Sequence, residues 1–484
     1  MRRSEKLDRR LKRKLVLINP PTSFDQIYGA WDLSALDTYC PPLGLLYLAG
    51  YVREDGHEIH VVDVPALKWS LQDTVDFVLS LKPDIVGLTA MTTHILNANA
   101  IADGLKRNGL ASPIVIGGPH FTATPVETLQ RSPSIDYGVV GEGEITFLEL
   151  IQKISNNIDV KDLQGLAWRQ DDGSIIVNSP RSMIKNLDIL PLPAWDLLPN
   201  FPHAYPHNAL ETKRLPAASI ITSRGCPHKC TFCDRAVFGS VVRSHSSEYT
   251  LDMIRHLKDN YGIKDLMILD DNFLLDKTKL FHICDKIIEE NMDLKWYCLS
   301  HVKFMTEDRL RKIKEAGCWI MEVGIESGCE RILRLLRRTT PKSLIADAIK
   351  RAKKNGIKIK GNFIFGLPTE TKESLEETIQ FATSIDIALF QQTFLTIWPG
   401  CELSENADEY GHTEREWDKL GHFQISFIPN GLTPEDLLRA SKEAFRRFYL
   451  RPRIVLEILS SIRTPRAFKS ALIAFIAFLK SIFR

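Results

Sequence analysis

Short apolar runs and helix-spaced apolar stripes alternate along residues 15–155. The runs have the length of buried strands and lie at residues 15–18, 58–62, 85–88, 114–116 and 139–140. The stripes carry an apolar side chain every three to four residues, as amphipathic helices do, and lie at residues 43–52, 71–79, 95–105 and 144–154. This alternation predicts βαβ units, and therefore a doubly wound parallel sheet with helices on both faces.

Glycine and polar residues are concentrated in the turns that follow these strands. The turns contain Asn19-Pro20-Pro21, Thr89, Gly117-Gly118-Pro119-His120 and Gly141-Glu142-Gly143-Glu144. Parallel sheets bind ligands outside the carboxyl ends of their strands, and glycine lets a bulky ligand approach the backbone. We expect a ligand site formed by Thr89, Gly117, Gly118, Gly141 and Glu142, although a Gly-Gly turn also serves purely steric needs.

Residues 156–216 are predicted to connect two larger units. Apolar stretches at residues 166–169 and 175–177 flank Asp171-Asp172-Gly173, which is a hairpin signal. Prolines then recur at positions 191, 193, 199 and 202 and favour an extended backbone. We expect no catalytic role for this connector.

A second alternation of strands and helices covers residues 217–402. Six strands are predicted, at residues 219–222, 265–269, 295–299, 319–323, 358–365 and 390–397. Six strands are too few for a closed eight-stranded barrel, so we expect an open, partial (β/α)6 barrel. Its site should lie at the carboxyl ends of the strands, where polar turns such as Asp270-Asp271, Glu326-Ser327 and Gly366 occur.

The two ends of the chain have different patterns. Residues 1–14 form a basic arm, which is either a solvated helix or tail, or a contact to an acidic surface or membrane head groups. Residues 403–484 are predicted to be a small helical region. Thr433-Pro434 marks a helix start there.

An apolar stretch lies at residues 471–479 near the C-terminus. Nine residues are too few to span a bilayer. The stretch either packs onto the core or docks shallowly on a membrane with the help of Arg463, Arg466 and Lys480. Peripheral membrane contact of this kind would suit a lipid-like substrate.

Composition narrows the classes of function. The 484 residues are 25% charged and 44% hydrophobic, as in an ordinary globular protein of two or three domains. A formal net charge of +2 points to no nucleic-acid partner, and no N-terminal signal pattern is present. Six of the nine cysteines are scattered, which indicates buried thiols in a reducing, cytoplasmic compartment; they are Cys40, Cys284, Cys298, Cys318, Cys329 and Cys401.

The other three cysteines, Cys226, Cys230 and Cys233, lie on one short loop with C-x-x-x-C-x-x-C spacing. Three thiolates from one loop suit an iron–sulfur cluster, whereas structural zinc wants a fourth close ligand. A zinc knuckle or a loop of unligated thiols are the alternatives. Arg224 and Lys229 are expected to favour the thiolate form that binds metal.

This loop, with Phe232 before its third cysteine, resembles the signature of the radical SAM superfamily. The resemblance implies that the three thiolates hold three irons of a 4Fe–4S cluster and that S-adenosylmethionine binds the fourth. The cluster then passes an electron to the sulfonium, and a 5′-deoxyadenosyl radical results. Phe232 is implied to contact the adenine through its backbone. An electron donor such as flavodoxin or ferredoxin is also implied.

The resemblance also implies roles at the strand ends. Asp270 and Asp271 stand where the family often has a Gly-Gly-Glu segment that contacts the methionine amino group. Glu326 and Ser327 resemble the turn that holds the ribose or the methionine part, and residues 364–366, which end in Gly366, resemble the stretch that packs on adenine. From the residues alone, Asp270-Asp271 could instead cap the next helix, and Glu326 could pair with a nearby arginine.

A doubly wound domain before such a core is similar to the cobalamin-binding radical SAM enzymes, which identifies residues 15–155 as a cobalamin-binding-like domain. Many cobalamin domains donate a histidine to cobalt from a D-x-H-x-x-G turn, but Asn19-Pro20-Pro21-Thr22 occupies that turn here. His94 and His120 are nearby, and a loop histidine is more often a hydrogen-bonding group than a metal ligand. A degenerate domain without corrinoid is the alternative.

The resemblance implies a radical SAM enzyme that uses cobalamin to methylate an unactivated carbon of a small-molecule or lipid-like substrate. A radical cyclase or rearrangement enzyme is the alternative within the class. A non-catalytic iron–sulfur sensor is the alternative outside it.

Overall fold

The computed structural model describes residues 12–22, 40–208, 210–461 and 468, which form two compact units. The first comprises the described residues of Met1–Thr22, Pro42–Lys185 and Ile189–Pro199, and the second those of Ser23–Pro41, Asn186–Asp188 and Asn200–Arg484. Most of the basic arm and the apolar stretch at residues 471–479, with Arg463, Arg466 and Lys480, lie outside the described residues.

A seven-stranded sheet forms the centre of the first unit. Its strands are β1 (Lys14–Asn19), β2 (Glu58–Asp63), β3 (Ile85–Thr89), β4 (Ile114–Gly117), β5 (Tyr137–Val139), β6 (Leu166–Arg169) and β7 (Ile175–Val177). Their order is β2-β1-β3-β4-β5-β6-β7, and the first five are parallel. The order of the strands reverses between β1 and β3, as in doubly wound sheets. The predicted fold class is confirmed.

Among the residues that the structure describes, seven helices connect the strands of this unit: α1 (Leu43–Glu54), α2 (Val64–Leu67), α3 (Leu71–Leu81), α4 (Ile95–Arg107), α5 (Pro119–Ala123), α6 (Pro125–Arg131) and α7 (Gly143–Ser155). The apolar run of β1 is buried on both faces, because Leu15, Val16, Leu17 and Ile18 are all fully inaccessible. Such continuous apolar runs are typical of parallel strands that helices cover on both sides.

The predicted hairpin exists as β6 and β7, which pair antiparallel. It does not stand apart as a connector, because β6 also pairs antiparallel with β5 and extends the first sheet. Most of the expected connector, residues 156–185 and 189–199, therefore lies in the first unit.

A six-stranded parallel sheet forms the centre of the second unit. Its strands are β8 (Ala217–Ile220), β11 (Asp265–Ile268), β12 (Lys295–Leu299), β13 (Cys318–Glu326), β14 (Lys358–Phe365) and β15 (Leu389–Phe394). A two-stranded ribbon, β9 (Ser223–Arg224) and β10 (Arg243–Ser244), follows β8. The six strands pair consecutively, and β8 and β15 form the two edges. The predicted partial (β/α)6 barrel is confirmed.

Helices alternate with these strands: α8 (Ser247–Tyr261), α9 (Lys277–Glu289), α10 (Glu307–Glu315), α11 (Glu330–Leu335), α12 (Lys342–Lys354) and α13 (Lys372–Ser384). The C-terminal part adds β16 (Gly411–Thr413), β17 (Phe427–Pro429), α14 (Pro434–Tyr449) and α15 (Pro452–Ser461). Thr433 caps α14 by accepting from Asp436 N–H, so the predicted helix start is confirmed. Among the described residues, no helix has the length and apolarity needed to cross a membrane.

Candidate functional site

The cysteine loop follows β8 and the first strand of its short ribbon. Cys230 is buried, Cys226 is half-buried, Cys233 is exposed, and none is in a disulfide. In the part of the chain that the structure describes, no three histidine, cysteine or carboxylate side chains are gathered around a point that would hold a single metal ion.

Two of the three thiols, those of Cys226 and Cys233, have raised pKa values, which favours their protonated form. Burial is the main cause, and Asp271 and the neighbouring thiols add to it, so that the pKa of Cys233 rises to about 12 and that of Cys226 rises as well. The expectation that Arg224 and Lys229 favour the thiolate is therefore wrong. Ligands of this kind lose their protons when a metal binds.

Asp270 anchors the start of the loop. Its carboxylate accepts from the N–H of Thr222 (2.5 Å), the hydroxyl of Thr222 (2.6 Å) and the hydroxyl of Ser223 (2.6 Å). The alternative that Asp270-Asp271 caps the next helix is wrong, because Asp276 caps α9. Asp270 therefore fixes the backbone from which the cysteines project.

Asn272, which the sequence analysis did not single out, contacts the loop directly. Its Nδ2 donates to Cys226 Sγ at 3.3 Å, and its Oδ1 accepts from His301 N–H at 2.9 Å. The position right after Asp270-Asp271, at the carboxyl end of β11, was the available signal.

Glu326 ends β13 with a left-handed backbone, φ +68°, and is buried. Its Oε1 lies 3.4 Å from Arg338 Nη2, so the alternative of an arginine partner is confirmed. Arg338 Nη2 also donates to Gly324 O (2.6 Å), and Nη1 donates to Cys230 Sγ (3.8 Å). A Cβ on Gly324 would lie 2.2 Å from Glu326 Oε1, so only glycine leaves room for this arrangement. Burial raises the pKa of Glu326, and Arg338 opposes the rise.

Ser327 is fully buried, and its hydroxyl serves the local backbone. It lies 3.1 Å from the hydroxyl of Thr378 and accepts from Cys329 N–H at 3.1 Å. A ligand role for Ser327 stays a prediction, and its side chain already has internal partners.

Gly366 turns the chain after β14 with φ +81°. Its N–H donates to Glu370 Oε2 (2.5 Å), which also accepts from Leu367 N–H (3.1 Å). Glu370 is fully buried, and burial raises its pKa to about 8. Half-buried Phe232 and Ile364 pack against the same apolar cluster. Phe232 and Ile364, both in segments predicted to contact adenine, therefore border the same cluster, and the contact to adenine itself stays a prediction.

His228, inside the cysteine loop, stacks on His301, and the sequence did not predict this contact. The rings of His228 and His301 lie 4.3 Å apart. His301 Nδ1 accepts from Lys303 N–H, and Nε2 faces the hydroxyl of Thr340, so this ring is a neutral Nε2–H tautomer. Burial and then the charge of Arg338 lower the pKa of His301 to about 3.

A buried polar group lies on β12, β13 and β14. Lys360 Nζ contacts Glu322 Oε2 (3.0 Å) and Glu211 Oε1 (2.8 Å), while Glu322 accepts from the hydroxyl of Tyr297 and the amide of Asn362. All these charges are paired, which is what buried ionic groups require. Together these side chains form the polar base of the core sheet, and Glu322 lies two residues before Gly324 on β13.

In the first unit, Thr89, Gly117 and Gly118 meet where β3 and β4 end. Gly118 has φ +101°, and a Cβ there would lie 2.8 Å from Ala90 O, so glycine is required. Gly141 has φ +81° and open space where a Cβ would be. At these glycines no side chain covers the backbone at the carboxyl ends of the strands of the first sheet.

The polar side chains at these strand ends have internal partners. Glu142 accepts from Ile184 N–H at 2.8 Å. His120 lies 3.0 Å from the hydroxyl of Thr92 and 3.3 Å from that of Thr124. Burial lowers the pKa of His94 and of His120 to about 4, so both rings are neutral at pH 7.

A known protein family matches each of the two units. The B12 binding domain family model matches residues 33–151, and the Radical SAM superfamily model matches residues 220–382. The chain is 35% identical over 449 residues to an uncharacterized methyltransferase of Pyrococcus horikoshii, covering 92% of this chain and 94% of that protein. It is 27% identical to the anaerobic magnesium-protoporphyrin IX monomethyl ester cyclase of Rubrivivax gelatinosus, covering 85% and 74%.

Among solved structures, the fold is similar to the radical S-adenosylmethionine methyltransferase TsrM from Kitasatospora setae. The TM-score is 0.71 at 18% identity, covering 91% of this chain and 90% of that one. TsrM has been described with tryptophan and a SAM analogue, and with cobalamin and a [4Fe-4S] cluster.

The fold and the cysteine loop define a radical SAM enzyme with an N-terminal B12-binding domain. The chain belongs to the family of cobalamin-dependent radical SAM enzymes, with its methyltransferase relative from Pyrococcus horikoshii. Its cofactors are a 4Fe–4S cluster, S-adenosylmethionine and cobalamin. The predictions of this family, of an enzyme and of these cofactors are confirmed.

Proposed function

We propose that this enzyme methylates an unactivated carbon of a small-molecule substrate, with Cys226, Cys230 and Cys233 as the cluster ligands. The observation that carries the proposal is the set of three free thiols on one anchored loop, beside the ion pair of buried Glu326 and half-buried Arg338. When bound, the cluster supplies the electron that opens the sulfonium, and cobalamin supplies a methyl carrier.

The residues around the loop suit a thiolate-bound cluster. Two N–H donors point at sulfur, from Asn272 to Cys226 and from Arg338 to Cys230. Such donors stabilise negative charge on metal-bound sulfur. Asp270 holds the loop in place through Thr222.

S-adenosylmethionine would lie at the carboxyl ends of the core strands. We propose that Glu326 and Asp271 take its polar end, Ser327 supports the turn, and Phe232 and Gly366 border the adenine. The support is that Phe232 and Ile364, the residue two before Gly366, both pack against one buried apolar cluster. This cluster excludes water from one side of the ligand.

Cobalamin would lie on the bare backbone of Thr89, Gly117, Gly118, Gly141 and Glu142. The open space at Gly141 and the forced turn at Gly118 support this proposal. Neutral His120 is engaged with Thr92 and Thr124, so we propose that cobalt receives no ligand from it.

The test is transfer of isotopic label. Anaerobically reconstituted enzyme, reduced and supplied with S-adenosylmethionine labelled in its methyl group, is expected to form 5′-deoxyadenosine and to place label in the product. Formation of 5′-deoxyadenosine with an unlabelled product would favour the cyclase or rearrangement alternative. Absence of cleavage by cluster-loaded protein would favour a sensor.

We propose that flavodoxin or ferredoxin donates the electron at the outer side of the cysteine loop. Thr231 N–H donates to Leu336 O at 3.3 Å, so the end of α11 lies against the loop. Lys229, Arg334 and Leu335 are exposed, and the positive charges of Lys229 and Arg334 suit an acidic partner. The double variant K229E/R334E should slow turnover with the protein donor and leave turnover with dithionite unchanged. Equal slowing with both reductants would contradict the docking.

We propose a cytoplasmic location with peripheral membrane contact and a lipid-like substrate as the second candidate. All nine cysteines are free, which suits a reducing compartment. On and next to α15, Leu450, Leu456 and Leu459 are 55%, 66% and 59% exposed. Sedimentation with anionic lipid vesicles should carry the wild type down and should weaken in L456S/L459S; equal sedimentation of both would contradict this contact.

A further inference from the structure

Asn272 is held so that only its amide nitrogen can face the cluster loop. A backbone N–H can only donate, and His301 N–H points at Asn272 Oδ1 at 2.9 Å. The other end of the amide, Nδ2, therefore faces Cys226 Sγ at 3.3 Å. Asn272 is 8% exposed, so water competes little for this contact.

The guanidinium of Arg338 is likewise oriented by two contacts, and it faces Cys230. Nη2 binds Gly324 O at 2.6 Å and lies 3.4 Å from Glu326 Oε1. Because the guanidinium is planar, these two contacts direct Nη1 to Cys230 Sγ, at 3.8 Å. This arrangement fits because Gly324 has no side chain. The left-handed backbone of Glu326 orients its carboxylate towards Arg338.

The third cysteine differs. Among the described residues, Cys233 Sγ donates to the carbonyl oxygen of Asp234, at 3.7 Å. A carbonyl cannot donate to a thiolate, and Cys233 is exposed. The environment is thus asymmetric, with N–H donors at Cys226 and Cys230.

We propose that Asn272 and Arg338 are positioning residues that set the reduction potential of the cluster. The inference rests on the proposed function, which makes Cys226 and Cys230 its ligands. Reduction adds one negative charge that spreads onto the sulfurs, and N–H donors stabilise that charge more than they stabilise the oxidised state. Both residues therefore make the cluster easier to reduce, and Arg338 adds a positive charge to the effect.

The test is a redox titration of anaerobically reconstituted protein, followed by the EPR signal of the reduced cluster. At a fixed potential, R338Q and N272D should each lower the ratio of reduced to oxidised cluster about tenfold, which is 59 mV for one electron. R337Q is the matched control, because Arg337 is exposed, pairs with Glu402 and is the neighbour of Arg338. Its ratio should equal that of wild type.

The variant N272A distinguishes the effect of the lost hydrogen bond on the reduction potential from the effect of the charge that N272D adds. It removes the donor without adding a carboxylate, and it should lower the ratio about threefold. The proposal would be overturned if the ratio changed in N272D but not in N272A. It would also be overturned if R338Q and N272D, both at full cluster content, kept the wild-type ratio. If R338Q takes up no cluster, the two Asn272 variants decide. Failure of wild type to take up a cluster would instead contradict the proposed function.

Discussion

The carboxylate of Asp270 lies 2.5 Å from the backbone nitrogen of Thr222, 48 residues earlier in the chain. Both residues are buried, and Thr222 also accepts from Lys279 Nζ, at its carbonyl oxygen (2.9 Å) and its hydroxyl (3.0 Å). This contact joins the end of β11 to the segment from which the cysteine loop departs. The position of the loop is therefore set by a carboxylate that binds the backbone and hydroxyl groups at the start of the loop.

Replacing Asp270 should loosen the loop and cost stability. D270A leaves the buried N–H of Thr222 without its acceptor, which costs about 2–3 kcal/mol when the lost acceptor is charged. We expect lower thermal stability and reduced iron content after reconstitution. D271N is the control for stability, since Asp271 is exposed, and it should unfold at the wild-type temperature. Equal unfolding temperatures for D270A and D271N would contradict this role.

Glu370 should make stability fall as pH rises. Its pKa is raised by burial from 4.5 to about 8 in the folded protein. The folded state then binds more protons than the unfolded state, so stability is greatest below pH 4.5 and is lost as pH rises towards 8. E370Q keeps an oxygen for Gly366 and Leu367 N–H and removes the titration. At pH 8.5 it should be more stable than wild type by about 4–5 kcal/mol.

The measurement is urea unfolding of both proteins from pH 5 to pH 9. The curves of wild type and E370Q should separate progressively with increasing pH. E370A is the control, since it leaves two N–H groups without an acceptor and should be less stable at every pH. Parallel pH profiles for wild type and E370Q would show that Glu370 does not titrate in this window.

Removing Lys360 should be far more damaging than removing a surface lysine. K360M leaves Glu322 and Glu211 buried and unpaired, which costs about 3–5 kcal/mol. K353M removes an exposed lysine that pairs with Asp386 at 3.0 Å, and it should cost under about 1 kcal/mol. Chemical unfolding at pH 7 compares the two. Similar costs would mean that the polar base of the core sheet is not a buried ion pair in solution.

Cys230 should be indispensable for the cluster, whereas Cys401 should not be. C230A is expected to bind no cluster and to cleave no S-adenosylmethionine, because one of three iron ligands is gone. C401A removes a buried thiol in the apolar cluster beside Phe232 and should keep its iron. Iron and sulfide assays on the two variants check this. Full iron content in C230A would overturn the ligand assignment.

Apolar periodicity predicted both sheets, because continuous apolar runs and helical stripes report burial directly. The spacing of Cys226, Cys230 and Cys233 likewise predicted the cofactor loop, since all three positions lie within eight residues. These features are local in the chain. The hairpin of β6 and β7 was found correctly, but its pairing with β5 was not, because strand pairing at an edge has no local signal.

The contacts around the loop could not be predicted in the same way. Arg338 meets Cys230 across 108 residues, and the contact depends on the backbone of Glu326 and the missing side chain of Gly324. The internal partner of Glu142 is the backbone of Ile184, 42 residues away. Such partners are decided by tertiary packing.

The central claim is that three cysteines leave one iron free for S-adenosylmethionine. The most direct measurement is the EPR spectrum of the reduced, anaerobically reconstituted protein, recorded with and without S-adenosylmethionine. We expect a 4Fe–4S signal that changes when S-adenosylmethionine is added, because the compound binds the open iron. A cluster signal that S-adenosylmethionine leaves unchanged, or protein that retains only zinc, would contradict the claim.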